Sequence, residues 1–95
     1  SSAFFNYNLK IKTSEQKEVI SKDKKGKVLL LRMIINLNLE VFEKEKLIMQ
    51  KKYKNSFDYQ NISKKFELSN YETEIKIDIY NKIISKILTD LTNLK

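Results

Sequence analysis

The sequence contains neither cysteine nor histidine, and it has a single glycine, Gly26, and a single arginine, Arg32. Without cysteine no disulfide or thiolate metal site can form, and the redox compartment stays open. Without histidine the commonest metal ligand and the usual general base near neutral pH are both missing. One glycine cannot build a phosphate-cradling loop of the GxGxxG or P-loop kind. No run of 18 apolar residues exists, which excludes a membrane-spanning helix. These absences remove most enzyme templates, and no cofactor or metal site is expected. The chain reads as a non-enzyme. No secretory signal is visible, and the start at Ser1 rather than methionine is that expected of a processed or truncated piece.

What is abundant is lysine. The formal net charge is +7 over 95 residues, which invites a polyanion-binding reading. A composition effect competes with it. One arginine among nineteen basic residues, with many asparagines and isoleucines, is the bias of an AT-rich genome. Such a bias spreads lysines over solvated faces whatever the protein does. Ninety-five residues suit one small domain, here taken as residues 1–95.

Hydrophobic patterning predicts an α+β fold. Phe5, Tyr7, Leu9 and Ile11 alternate with Asn6, Asn8, Lys10 and Lys12, which predicts a half-buried strand. The alternation lapses over Thr13–Glu18, so a bulge or an early end is expected there. Asp23-Lys24-Lys25-Gly26 then has the composition of a hairpin tip, with glycine supplying a positive φ. The strongest strand signal follows. From Leu29 to Val41 every odd position is apolar, while Asn36, Asn38 and Glu40 face the other way. Val28, Leu30 and Ile34 break the rule, which predicts that the second face is partly covered near its start, by a missing segment or a partner. Glu43-Lys44-Glu45-Lys46 reads as a charged turn. Leu47, Met49, Tyr53, Phe57 and Tyr59 continue the odd-numbered alternation in a third strand. The expected sheet is an antiparallel three-stranded meander whose long strands overhang the helix.

The last third predicts a long C-terminal helix packed on one face of that sheet. Ile75, Ile79, Ile83, Ile87 and Leu91 recur every fourth residue, with Ile84 and Leu88 widening the stripe. Ser69 and Glu72 have the spacing of a capping box at its start. Glu72–Lys76 and Asp78–Lys82 are expected as i,i+4 pairs, and acids precede bases along the helix as its dipole favours. An amphipathic membrane-surface helix is the competing reading, but the polar face mixes acids and bases and lacks tryptophan.

Two candidate binding surfaces stand beside these structural readings. The aromatics Phe5, Tyr7, Tyr53, Phe57 and Tyr59 near Lys51, Lys52 and Lys54 could stack bases, although they share the phase of the core. The basic tip Lys22, Lys24, Lys25 and Lys27 could contact phosphates, or be a solvated turn. No paired carboxylates suited to acid–base work are discernible among Glu15, Glu18, Glu40, Glu43 and Glu45.

The run Tyr53-Lys54-Asn55-Ser56-Phe57-Asp58-Tyr59, then Lys65-Phe66-Glu67-Leu68 and Tyr71-Glu72 before the isoleucine helix, resembles the LPS-assembly lipoprotein (LptE) family. It is most similar to the lysine- and asparagine-rich members from AT-rich marine alphaproteobacteria. Glu18-Val19-Ile20-Ser21-Lys22-Asp23-Lys24-Lys25-Gly26 also resembles their first hairpin, so the likeness runs from about Tyr7 to Leu94. The resemblance implies a periplasm-facing, lipid-anchored outer-membrane protein of a Gram-negative bacterium. Such proteins plug the lumen of a β-barrel translocon and assist lipopolysaccharide transport. It implies a four-stranded sheet with two helices, of which one strand, one helix and the lipidated cysteine would precede Ser1. It further implies that basic residues at the protruding end of the sheet contact the phosphorylated sugar head of lipopolysaccharide. By position these are Lys24, Lys25 and Lys27, then Lys51 and Lys52. The alternatives are a small basic nucleic-acid-binding α+β domain and a purely structural interaction module.

Overall fold

In the computed structural model, which describes residues 7–94, a three-stranded antiparallel sheet in the order β1-β2-β3 carries one long helix. The elements are β1 (Tyr7–Lys22), β2 (Val28–Glu43), β3 (Lys46–Gln60) and α1 (Lys65–Thr92). This is the expected α+β meander with a C-terminal helix. Phe5, the first residue assigned to the first strand, lies outside the described residues, as does Lys95. The molecule measures 61 × 19 × 18 Å, with a radius of gyration of 17.9 Å. A compact chain of this length would have about 12 Å. Strands of 15 and 16 residues fix that elongation.

The odd-numbered row of β2 makes the core. Leu31, Met33, Ile35, Leu37, Leu39 and Val41 are all buried, and they meet Ile75, Ile79, Ile83 and Ile87 of α1 and Tyr53 and Tyr59 of β3. Fully burying such a side chain contributes roughly 1.5–3 kcal/mol, so this face dominates the stability of the helix. The stripe of α1 is narrower than its sequence suggests. Leu91 is half-buried, while Ile84 and Leu88 are 48% and 59% exposed. A straight helix turns its every-fourth-residue row steadily away from any flat surface, and three strands give no second surface to meet the extra width.

β1 departs most from expectation. It does not end early: it pairs with β2 from Tyr7 to Lys22, and its irregularity is a bulge at Ile20. Only Tyr7 among its residues is even half-buried, because α1 lies over β2 and β3. A second bulge, at Ile48, shifts the phase of β3 so that Leu47 pairs with Phe42 rather than continuing the core row. Leu47 is therefore exposed. On the helix-free face Ile34 is 6% exposed, buried by the chain itself without any partner. Val28, despite its even number, packs against the core beside the irregular register at Leu29.

The helix begins five residues earlier than the capping box predicts. Lys64 occupies the cap position without a side-chain hydrogen bond, and the Leu68 amide donates to the Lys64 carbonyl at 3.0 Å. Ser69 is thus interior, and its carbonyl accepts from Thr73 Oγ1. The expected pair Glu72–Lys76 does not form because both side chains reach across to β1 instead, and Asp78–Lys82 is likewise not among the ion pairs of the described residues.

Candidate functional site

The hairpin tip is built around one aspartate. Asp23 Oδ1 accepts from the amides of Lys25 and Lys27, both at 2.9 Å, while its carbonyl accepts from Gly26 N at 3.0 Å. Gly26 completes the reversal at φ +86, a conformation that costs other residues about 1–2 kcal/mol. The turn presents Lys24, Lys25 and Lys27 to solvent at one end of the sheet. None of these ammonium groups is in an ion pair among the described residues.

Lys51 and Lys52 are not brought to that tip. They pair with Leu39 and Asn38, some ten residues along β2 from the tip, about 34 Å at the usual rise per residue. Being adjacent in one strand, they also face opposite ways. Lys51 lies on the helix side, where it donates to Asp90 at 2.8 Å and sits 5.6 Å from the centre of the Tyr53 ring. Lys52 lies on the helix-free side. The five sequence candidates therefore form three separate places: a tip, a clamp and an open face.

The clamp has counterparts that the sequence did not disclose. At three places a tyrosine and a lysine both donate to one carboxylate that joins sheet to helix. Tyr53 (2.6 Å) and Lys51 hold Asp90. Tyr59 (2.6 Å) and Lys17 (3.2 Å) hold Glu72, which thereby spans from β3 to β1. Tyr80 (2.7 Å) and Lys76 (3.1 Å) hold Glu15. The tyrosine hydroxyls of Tyr53, Tyr59 and Tyr80 are all pushed above their ordinary range, first by burial and then by the carboxylate they bond. The bond from Tyr80, then that from Lys76, pulls Glu15 below its ordinary value. Lys51, then Tyr53, does the same for Asp90. These groups stay in their resting protonation states and serve structure.

The aromatic platform considered from sequence is not available to stack bases. Tyr53 and Tyr59 are buried under α1 with their hydroxyls bonded, and Tyr59 meets Tyr71 edge-on at 5.9 Å. Phe57 remains 44% exposed and floors a shallow cleft between β3 and α1, with Glu74, Asp78 and Lys82 at its rim. Among the described residues no group of three or more acidic side chains is placed to hold a metal ion. No described helix is long and apolar enough to cross a membrane.

The sequence matches no family model and no curated protein. Its fold does have solved counterparts. The chain is similar to rare lipoprotein B from Shewanella oneidensis, with a TM-score of 0.68 at 18% identity. The match covers 93% of this chain and 71% of that one. At that identity the likeness shows a shared fold: three long antiparallel strands under one helix.

Proposed function

We propose that this chain is the sheet-and-helix part of an LPS-assembly lipoprotein, a non-enzymatic subunit acting at the periplasmic side of the outer membrane. In this role it seats in a β-barrel translocon and assists delivery of lipopolysaccharide through it. The observation that carries the reading is the fold shared with rare lipoprotein B over 93% of the chain. The motif order from Tyr53 to Glu72 and the isoleucine helix supports it independently, since that resemblance rests on residues rather than on shape. The narrow body, 19 × 18 Å in cross-section, has the form of an insert rather than of a shell.

In this reading Lys24, Lys25 and Lys27 meet the lipid's phosphates at the protruding tip. Pairing of exposed ammonium groups with phosphate is screened over about 8 Å at physiological salt, so binding weakens as salt rises. The test has two parts. The chain should co-purify with a β-barrel translocon subunit, and lipopolysaccharide binding should fall when Lys24, Lys25 and Lys27 are changed together to glutamine. Binding that ignores those changes removes the tip from the site. Absence of both the barrel and the lipid removes the function. The nucleic-acid alternative is disfavoured by the burial of Tyr53 and Tyr59, the residues a stacking surface would need.

A further inference from the structure

Asparagine is depleted from strands, and least expected at the middle of a central one. Yet Asn36 and Asn38 occupy successive positions on one face of β2 at its centre, half-buried, while Ile35, Leu37 and Leu39 fill the opposite face. A local preference broken in the middle of the central strand marks a position kept for another purpose. The register shows what surrounds these amides. One cross-strand row reads Lys12–Asn38–Lys52, and the next reads Ser14–Asn36–Lys54.

We propose that these two rows form a phosphate-binding platform on the helix-free face of the sheet. Two strand spacings separate Lys12 from Lys52, about 10 Å between backbones, and the rows lie about 7 Å apart. The six residues line one depression, with lysines at its margin and amides on its floor. Among the described residues none of the three lysines is spent on a carboxylate, and the ion pairs engage Lys17, Lys51, Lys76 and Arg32 instead. Asn38 Oδ1 accepts from Gln50 Nε2 at 3.5 Å, which leaves the Nδ2 hydrogens of Asn38 for a ligand.

The rows on either side delimit the platform. Toward the β2–β3 turn comes Lys10–Glu40–Gln50, which carries its own carboxylate, and Lys10 sits 5.4 Å from the Phe42 ring. Toward the tip lies Gln16–Ile34–Ser56, without charge, and then Glu18–Arg32–Asp58, where Arg32 is held by Asp58 at 2.7 and 3.0 Å. Among the cross-strand rows of this face, lysine without a carboxylate in its row is thus confined to the two central ones. Ammonium, amide and hydroxyl donors with no carboxylate acceptor suit a phosphate monoester or a pyrophosphate. No ring on this face of those rows offers a base something to stack on.

The platform stands on the sheet geometry. Only for a lipid source does it rest on the function proposed above, and there it adds a mid-sheet headgroup contact to the one at the tip. The test is an amide-resolved NMR titration of the intact chain at about 150 mM salt, where charges beyond about 8 Å are screened. The probes are inorganic pyrophosphate, then vesicles with and without a diphosphorylated glucosamine lipid. The expected result is saturable shifts at Ser14, Asn36, Asn38, Lys52 and Lys54, including the asparagine side-chain amides. K52Q/K54Q should weaken binding about tenfold or more, equivalent to about 1.4 kcal/mol. K64Q/K65Q, which removes two exposed charges at the helix start, should leave pyrophosphate affinity within about twofold. Because these side chains are exposed, the same spectra show whether each variant is folded. Shifts with pyrophosphate alone assign a soluble phosphate, and shifts with both probes assign a headgroup. Shifts spread over every lysine-bearing surface, or absent with both probes, overturn the platform. Lipid binding confined to Lys24–Lys27 overturns it too, while leaving the proposed function standing.

Discussion

Tyr59→Phe removes one oxygen atom and should destabilise the protein by about 2 kcal/mol. The Tyr59 hydroxyl donates to Glu72 at 2.6 Å, the short distance of a charge-assisted bond. The Glu72 side chain is only 15% exposed, so water cannot readily replace the lost donor. Hydrogen bonds to charged groups contribute roughly 1.5–3 kcal/mol, and residual solvent access places this one in the lower half of that range. Lys17 also bonds Glu72, but at 3.2 Å with its side chain 49% exposed, so Lys17→Ala should cost only about 0–1 kcal/mol. Urea unfolding followed by circular dichroism measures both. For a domain of this size about 2 kcal/mol corresponds to roughly 8–16 °C in Tm. A cycle with Glu72→Gln should return a coupling of about 1 kcal/mol or more between Tyr59 and Glu72. A Tyr59→Phe cost below about 0.5 kcal/mol, or a coupling of zero, would refute the clamp and leave the aromatic ring as the whole contribution of Tyr59.

Three further outcomes follow from the same geometry. Ile79→Ala, at a position 3% exposed, should cost about 2–5 kcal/mol, whereas Leu88→Ala, 59% exposed on the same helix, should stay within about 0.5 kcal/mol by the same unfolding assay. Lys44 and Glu45 turn the second hairpin with φ of +49 and +70, so replacing them by Asn-Gly should raise stability by about 1–2 kcal/mol in urea titrations. Stability should be flat near neutrality and fall at both ends of a pH series of melting temperatures. Glu15, Asp58 and Asp90 have lowered folded values, so their contribution is present above the unfolded values of 4.5 and 3.8 and is lost as pH falls through the lower folded ones. Tyr53, Tyr59 and Tyr80 have raised folded values, so theirs is present below 10.0 and is lost as pH rises beyond it. Unchanged melting from about pH 5 down to 3 would contradict the carboxylate assignments.

How legible each part was depended on how many neighbours determine it. β2 is paired on both sides and covered on one face, so its alternation states its role outright. β1 is paired on one side and scarcely touched by α1, so apolar and polar residues there are under equally weak constraint, and its pattern lapses while its backbone continues. A lapse in alternation over Thr13–Glu18 announced an irregularity in β1 that falls at Ile20, whereas the bulge at Ile48 shifts the phase of β3 with no lapse to mark it. Ser69 and Glu72 had the spacing of a helix start, yet Glu72 is taken by Tyr59 and Lys17, partners 13 and 55 residues away. The candidate site suffered from the same non-locality. Lys51 and Lys52 are neighbours in sequence and strangers in space, and the rows around Asn36 and Asn38 become visible only once register is known.

The two hairpin turns lie at opposite ends of β2. Each closes a ladder whose pairs grow from local to distant, one starting at Asp23–Lys27 and the other at Lys44–Glu45. β2 is thus the common rail of two zippers that travel in opposite directions, and a one-residue slip of β3 would turn Tyr53 and Tyr59 out of the core. The β3 zipper brings Tyr53 and Tyr59 beneath α1, whereas the β1 zipper places almost nothing there. Opening β1 from its Tyr7 end therefore breaks backbone ladder and a few exposed tethers, but spares the buried apolar layer. Amide exchange should accordingly be graded across the sheet, fastest in β1 and slowest at the middle of β2. The molecule is built to let go of one strand while keeping the other two.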